Sequence, residues 1–398
     1  MNAIKKLLTV LYFFVCPCEL VLNVMLVSST KYVGLLILIF WAIESIYNWN
    51  YSSIRLTAST ISLLIWLAIC ILCLAWGDSS SETSGYLTTY LEMGLLVIVL
   101  TQTDWSERDV NHFLLAYFLG SICLTILFFI FGETRYTVRA TIVFMGREID
   151  PNQVAANIVP GAVISLGYII NKNLKMPYRI ISAAAFLLTV YTTFLTGSRG
   201  GLVSLAAGML FVYFPQLKEL DIKKVLVLCV SIVLVWYSIS LLPEGTSERL
   251  LGFSTYTDKY DNGQSRLTLW KDMFDDFDAQ WFIGHGVGSS ITFFQMLKGT
   301  LQGVHNTFLL VLYEVGIIGF CFWLFPYIAM LFYNISRRNH VIAGVLIAAL
   351  LSSFFLDALI VRYIWNALIL SIMKYDCDEE FYKASKQIHA CKYIRDCP

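Results

Sequence analysis

The chain has 398 residues, of which 58% are hydrophobic and 14% charged, against roughly 45–50% and about 25% for a soluble protein. Mean hydropathy is +0.68, and 28 basic residues balance 28 acidic ones. These values exclude a set of soluble domains, a disordered or collagenous chain, and a nucleic-acid binder that works through net charge. Twelve spans of about 20 residues use about 240 positions, which accounts for the apolar excess. The expected fold class is all-α: a polytopic integral membrane protein of about 12 transmembrane helices.

In chain order, apolar runs near 7–27, 33–48, 58–76, 86–101, 111–132, 153–170, 180–196, 200–215, 225–242, 305–333, 341–358 and 360–373 read as helices. The last two are short enough to form one broken element. The first run is too long for a cleavable signal and lacks a small-residue cleavage site, so it is expected to remain as a span. The runs divide the chain into N-terminal helices (1–132), central helices with arginine motifs (133–242), one large loop (243–304), C-terminal helices (305–373) and a tail (374–398).

With the N-terminus inside, 17 Lys and Arg residues fall in inner segments and 11 in outer ones, eight of the latter in 133–152 and 243–304. This bias predicts that both termini are cytoplasmic and that the long loop lies outside. None of the ten cysteines falls in an outer segment, so no disulfide framework is expected. Cys70 and Cys73 form a CxxC inside an apolar run and read as packing residues.

Several arginines run against the orientation bias. Arg135, Arg139 and Arg147 share one outer loop, Arg199 sits in the turn TGSRGG (196–201), and Arg266 lies in the long loop. Two readings stand for the loops: long segments translocate whatever their charge, or that side needs positive charge. For Arg199, pinned between two spans, the functional reading takes precedence.

Within the long loop, Leu267, Trp270, Met273, Phe274 and Phe277 recur at helical spacing, with Lys271, Asp272, Asp275, Asp276 and Asp278 between them. That pattern predicts an amphipathic helix over the outer surface. The acidic run DDFD (275–278) reads as a solvated face rather than a metal site. GHGVGS (284–289) is a glycine-rich turn whose amides are placed to approach an anion, without the βαβ surroundings of a dinucleotide site. His305 is either a helix-boundary residue or an acid–base group. Glu314 lies nine residues on, about 13–14 Å along a helix, too far to orient His305; it is a functional acid or an interhelical hydrogen-bonding partner. Asp150–Pro151–Asn152 reads as an N-cap with proline at the first helical position.

HNTFLLVLYEVGIIG (305–319) has the spacing His–Asn, nine residues, Gly, two residues, Gly, and resembles the signature of the bacterial O-antigen ligase and O-antigen polymerase superfamily. TGSRGG (196–201), SRLTLW (265–270) with WFIGHGVG (281–288), and the DPN before a span follow that family's order; residues 1–132 carry no matching motif. The resemblance implies a GT-C-like membrane glycosyltransferase in the bacterial inner membrane, with its active site on the outer side. It implies a polyprenyl-pyrophosphate-linked glycan as donor and a glycan or lipid A–core as acceptor. A flippase and a chain-length regulator would be partners in the same pathway. No cofactor and no metal is implied.

By the same resemblance His305 is the catalytic base, and Arg199 and Arg266, with Arg139 as a third, hold the pyrophosphate. Asn306, Glu314 and Trp270 support them. The chemistry suits the residue types: arginine forks match phosphate oxygens, and a histidine takes a hydroxyl proton near neutral pH. TGSRGG and the length of the 243–304 loop favour the polymerase branch over the ligase branch. The rival from another class is a transporter or flippase of lipid-linked sugars. Such proteins show related halves and interrupted helices near the midplane, whereas here no repeat is visible and the polar candidates gather on one side.

Overall fold

The computed structural model describes residues 2–25, 28–48, 55–77, 81–103, 105–135, 139–217, 263–299 and 303–374, with isolated positions 242, 246, 247 and 250. The expected tail beyond Lys374, and the expected span 225–242 apart from Leu242, lie outside the described residues.

The helices are α1 (Asn2–Val15), α2 (Glu19–Met25), α3 (Ser29–Asn48), α4 (Ala58–Leu72), α5 (Ser81–Leu100), α6 (Glu107–Phe131), α7 (Pro151–Ile170), α8 (Met176–Leu195) and α9 (Arg199–Leu217). Further on come α10 (Gly263–Asp275), α11 (Ser289–Lys298), α12 (Thr307–Ser336), α13 (His340–Ser353), α14 (Ala358–Val361) and α15 (Tyr363–Lys374). Among the described residues, eight helical stretches are long and apolar enough to cross a membrane. Three shorter apolar helices, Arg199–Tyr213, His340–Ser353 and Tyr363–Lys374, fall on three more of the expected runs. The last pair is therefore two helices, with α14 between them.

Local chemistry explains the elements. Ser106 caps α6 in a reciprocal box with Asp109, and Thr57 does the same for α4 with Thr60. Along α6, Phe113, Tyr117, Leu124 and Phe128 are buried, while Leu115, Leu119, Ile126 and Ile130 are exposed. A helix that is apolar on every face suits a bundle whose outside meets lipid, and helices satisfy their backbone polar groups internally there. Pro17 opens a short 3-10 turn that separates α1 from α2 within the first span.

The all-helical expectation needs one correction. Residues 132–148 form a small antiparallel sheet of β1 (Gly132–Arg135), β2 (Arg139–Phe144) and β3 (Arg147–Glu148), in the order β1-β2-β3. Glu133 faces Thr141, and Val143 faces Glu148. RATIVF is rich in β-branched residues, and Met145 and Gly146 both take positive φ, the geometry of a tight two-residue hairpin turn.

The helix expected in the long loop is present as α10, but its faces differ from the expected ones. Leu269, Met273 and Phe277 are buried one turn apart, whereas Leu267 and Phe274 are exposed. At one end of the bundle lie Lys6, paired with Asp109 at 2.8 Å, and Lys374, paired with Glu107 at 3.5 Å. The opposite end carries the sheet, the starts of α7, α9 and α12, and the segment 263–299.

Candidate functional site

The turn TGSRGG joins α8 to α9, and almost every residue in it has a local task. The Thr196 hydroxyl bonds the Thr193 carbonyl at 2.7 Å, Gly197 takes φ +60°, and the Ser198 hydroxyl caps α9 by accepting from the Gly201 amide at 3.1 Å. A Cβ on Gly200 would stand 2.8 Å from the Phe355 ring, so only glycine lets α9 start there. Arg199 is the exception. It is exposed, and among the described residues it has no hydrogen-bonded or ion-paired partner. It also occupies the first turn of a helix, the positive end, where a cation is disfavoured.

Arg139 reaches the same turn from β2. Its Nε donates to the Thr196 carbonyl at 3.1 Å and its Nη2 to Asn152 Oδ1 at 2.8 Å. Asp150 caps α7 by accepting from the Asn152 amide at 2.8 Å, as its position before Pro151 predicts.

On the other side of Phe355 stands α10. Arg266 Nη1 donates to the Phe355 carbonyl at 3.3 Å, and Trp270, one turn later, donates from Nε1 to the Val304 carbonyl at 3.0 Å and sits edge-on to Phe354. These two residues dock α10 beside His305. At this boundary Asn306, not His305, is the N-cap of α12, accepting from the Leu309 amide at 3.1 Å. His305 is half-buried, with φ +54°, a backbone state that costs energy in a non-glycine residue and is common at functional sites.

The carboxylate facing His305 belongs to Asp357, a residue that the sequence analysis missed. A Cβ on Gly303 would stand 2.3 Å from its Oδ2, so the segment ahead of α12 lies directly against this carboxyl. Burial raises this carboxyl above the ordinary range, while its surroundings at His305, Asn306 and Arg266 pull the other way. Thr307 locks the turn: its hydroxyl donates to the Leu356 carbonyl at 2.5 Å and accepts from the Ala358 amide at 2.7 Å. Arg266 and Gly200, the residue after Arg199, thus both meet Phe355, Arg139 bonds the turn that carries Arg199, and Trp270 docks α10 on the residue before His305.

Glu314 does separate work. α12 is broken at Gly316 (φ 67°, ψ −178°), which frees carbonyls one turn earlier. The His285 amide donates to the Tyr313 carbonyl at 2.9 Å and the Gly286 amide to the Glu314 carbonyl at 2.8 Å. The approach is backbone to backbone, since a Cβ on Gly316 would come within 2.4 Å of the Phe282 carbonyl. The Glu314 side chain accepts from Ser290 Oγ at 2.8 Å and from the Tyr90 hydroxyl at 3.3 Å. Two amides of the glycine-rich turn, those of His285 and Gly286, are thus spent on α12, and that of Gly284 bonds the Gln280 carbonyl.

The acidic run is also engaged. Tyr313 donates to Asp276 Oδ2 at 2.6 Å and stacks on His285 with ring centres 4.2 Å apart. Among the described residues, no three His, Cys, Asp or Glu side chains are grouped so as to hold a metal ion.

Residues 184–324 match the family described as O-antigen ligase. This stretch falls within the ligase and polymerase superfamily. It contains Arg199, Arg266, Trp270, His305, Asn306 and Glu314, and leaves out Arg139 and Asp357. A solved chain from "Structural coordination of polymerization and crosslinking by a peptidoglycan synthase complex" is 17% identical, with 79% of this chain and 96% of that chain covered and a TM-score of 0.43. The search of curated proteins found no match. The chain is a multi-pass membrane protein in which residues 184–324 are similar to the O-antigen ligase family.

Proposed function

We propose that the chain is a membrane glycosyltransferase that moves a glycan from a polyprenyl pyrophosphate to an acceptor hydroxyl, on the outer side of the inner membrane. The observation that carries this reading is Arg199, an exposed arginine at the positive end of α9 in a turn whose other residues are locally explained. An arginine kept where the helix dipole opposes it suits a site that receives a polyanion.

Arg199 and Arg266 hold the pyrophosphate, with Arg139 shaping the turn that carries Arg199. The acceptor oxygen attacks the anomeric carbon and the bond from that carbon to the pyrophosphate oxygen breaks. The electron pair leaves on the polyprenyl pyrophosphate, and the acceptor proton passes to His305. The arginines offset the charge gathering on the leaving group, and Asp357 offsets the charge gathering on the imidazole. Permanent cations in these positions make a divalent metal unnecessary.

The acceptor separates two reactions. Polymerisation of lipid-linked repeat units, as in O-antigen, capsule or exopolysaccharide synthesis, is the first reading and rests on TGSRGG and the long loop. Transfer to lipid A–core is the second, favoured by the description of the matching family. The transporter reading gains nothing from the break in α12, because the Tyr313 and Glu314 carbonyls accept from His285 and Gly286. The test is purified protein with lipid-linked repeat units, with and without lipid A–core. Products several repeats long without lipid A–core establish the polymerase, and products formed only with it establish the ligase. No transfer in either arm, with labelled lipid crossing the bilayer, overturns the enzyme reading.

A further inference from the structure

Arg362 and its partners play no part in the reaction as described, and they join the N-terminal helices to the site. Arg362 is buried and takes φ 68°, a left-handed state in which glycine is the usual residue. Its Nη1 pairs with Glu19 Oε1 of α2 and donates to Ser28 Oγ and Thr30 Oγ1, each at 3.1 Å. Its Nη2 lies 3.6 Å from Glu92 Oε2 of α5. Both glutamates are buried.

Such a cluster is costly to desolvate and is weak evidence for stability in itself, whereas fixing one arrangement is an attested use of buried charge. The arrangement it fixes here is short. α14 is a single four-residue turn with Asp357 at its start and Arg362 at its end. Thr307 holds the first end, and the charge cluster holds the second.

We propose that Arg362 is a positioning residue for the transfer site: its pairing with Glu19 and Glu92 sets the turn that presents Asp357 to His305. Residues 1–132, which carry no motif of the reaction, thereby contribute to its geometry. The inference rests on the His305–Asp357 reading given above, and the test separates the two.

Arg362→Gly keeps the left-handed backbone and removes the side chain, and Arg362→Lys keeps the charge but not the fork. Two readouts apply to the full-length protein: hydrogen exchange of the amides in 303–307, and the single-turnover rate with lipid-linked glycan. In Arg362→Gly the exchange of 303–307 is expected to rise about tenfold or more, while 284–290 keeps its protection. The rate is expected to fall toward that of Asp357→Asn, and the double variant to be no slower than Asp357→Asn alone, since residues acting through one another are not additive. Arg362→Lys should recover part of both.

If Arg362→Gly leaves 303–307 protected, or its rate loss adds in full to that of Asp357→Asn, the proposal is overturned. If 284–290 loosens equally, Arg362 serves general stability and the proposal is likewise overturned. Normal transfer by Asp357→Asn sinks the reading of the site itself. Should Arg362→Gly not fold, Glu92→Gln leaves the Glu19 pair in place and is expected to shift both readouts in the same direction by less; no shift in either counts against the proposal.

Discussion

The Thr307 hydroxyl accepts from the Ala358 amide at 2.7 Å and donates to the Leu356 carbonyl, so the start of α12 is held by the turn that follows α13, on either side of Asp357. Asp357→Asn keeps the shape and removes the charge facing His305. Single-turnover transfer is expected to fall by roughly 10²-fold, the lower part of the range for acid–base groups, with donor affinity kept. An unchanged rate would take Asp357 out of the site.

His305→Ala tests the base directly. Transfer is expected to drop by about 10²–10⁴-fold, while donor binding and the melting temperature in detergent stay near their natural values. Stability is spared because Asn306, not His305, caps α12. Lost donor binding would instead make His305 a contact of the pyrophosphate.

Arg199 divides charge from geometry. A charge-assisted hydrogen bond contributes about 1.5–3 kcal/mol, so Arg199→Ala should weaken donor affinity by at least tenfold, and Arg199→Lys should recover little of it. Thermal stability should hold or rise slightly, since a cation leaves the positive end of a helix. Full activity in the Lys variant would mean that general positive charge is enough.

Gly316→Ala adds a methyl group where the Phe282 backbone already sits, at a residue with φ 67°. Overpacking typically costs about 1–3 kcal/mol, and backbone strain adds to it. The expected result is a lower melting temperature and faster exchange across 284–290. A natural melting temperature would show that the break in α12 is dispensable.

Turnover is expected to survive exhaustive chelation, with the arginines supplying the positive charge at the leaving group. Asp276, a member of the acidic run, already accepts from Tyr313. Activity lost with chelator and restored by Mg²⁺ would return that run to consideration.

The helical runs were legible because an apolar stretch long enough to span leaves little choice of structure in lipid. The arginine turn, the DPN cap and the His–Asn pair were legible because each is a local pattern. Asp357 was not, since what gives it meaning is a contact with His305 from a distant part of the chain. One signal was available: an acid within the apolar run 341–358 deserved the attention given to Glu314. The use of the glycine-rich turn was hidden for a similar reason, because its partner carbonyls exist only once Gly316 breaks α12. The exposure of Leu267 and Phe274 followed from docking contacts by Arg266 and Trp270 that helical spacing does not encode.

The joint between 282–290 and α12 also sets an order of assembly. Ribosomes make the loop before the helix, so the amides of His285 and Gly286 have no acceptors until Tyr313 and Glu314 have emerged and taken their place in the membrane. This end of the protein is completed late, and a chain arrested ahead of Tyr313 should be cut by protease within 284–290, where the finished protein resists.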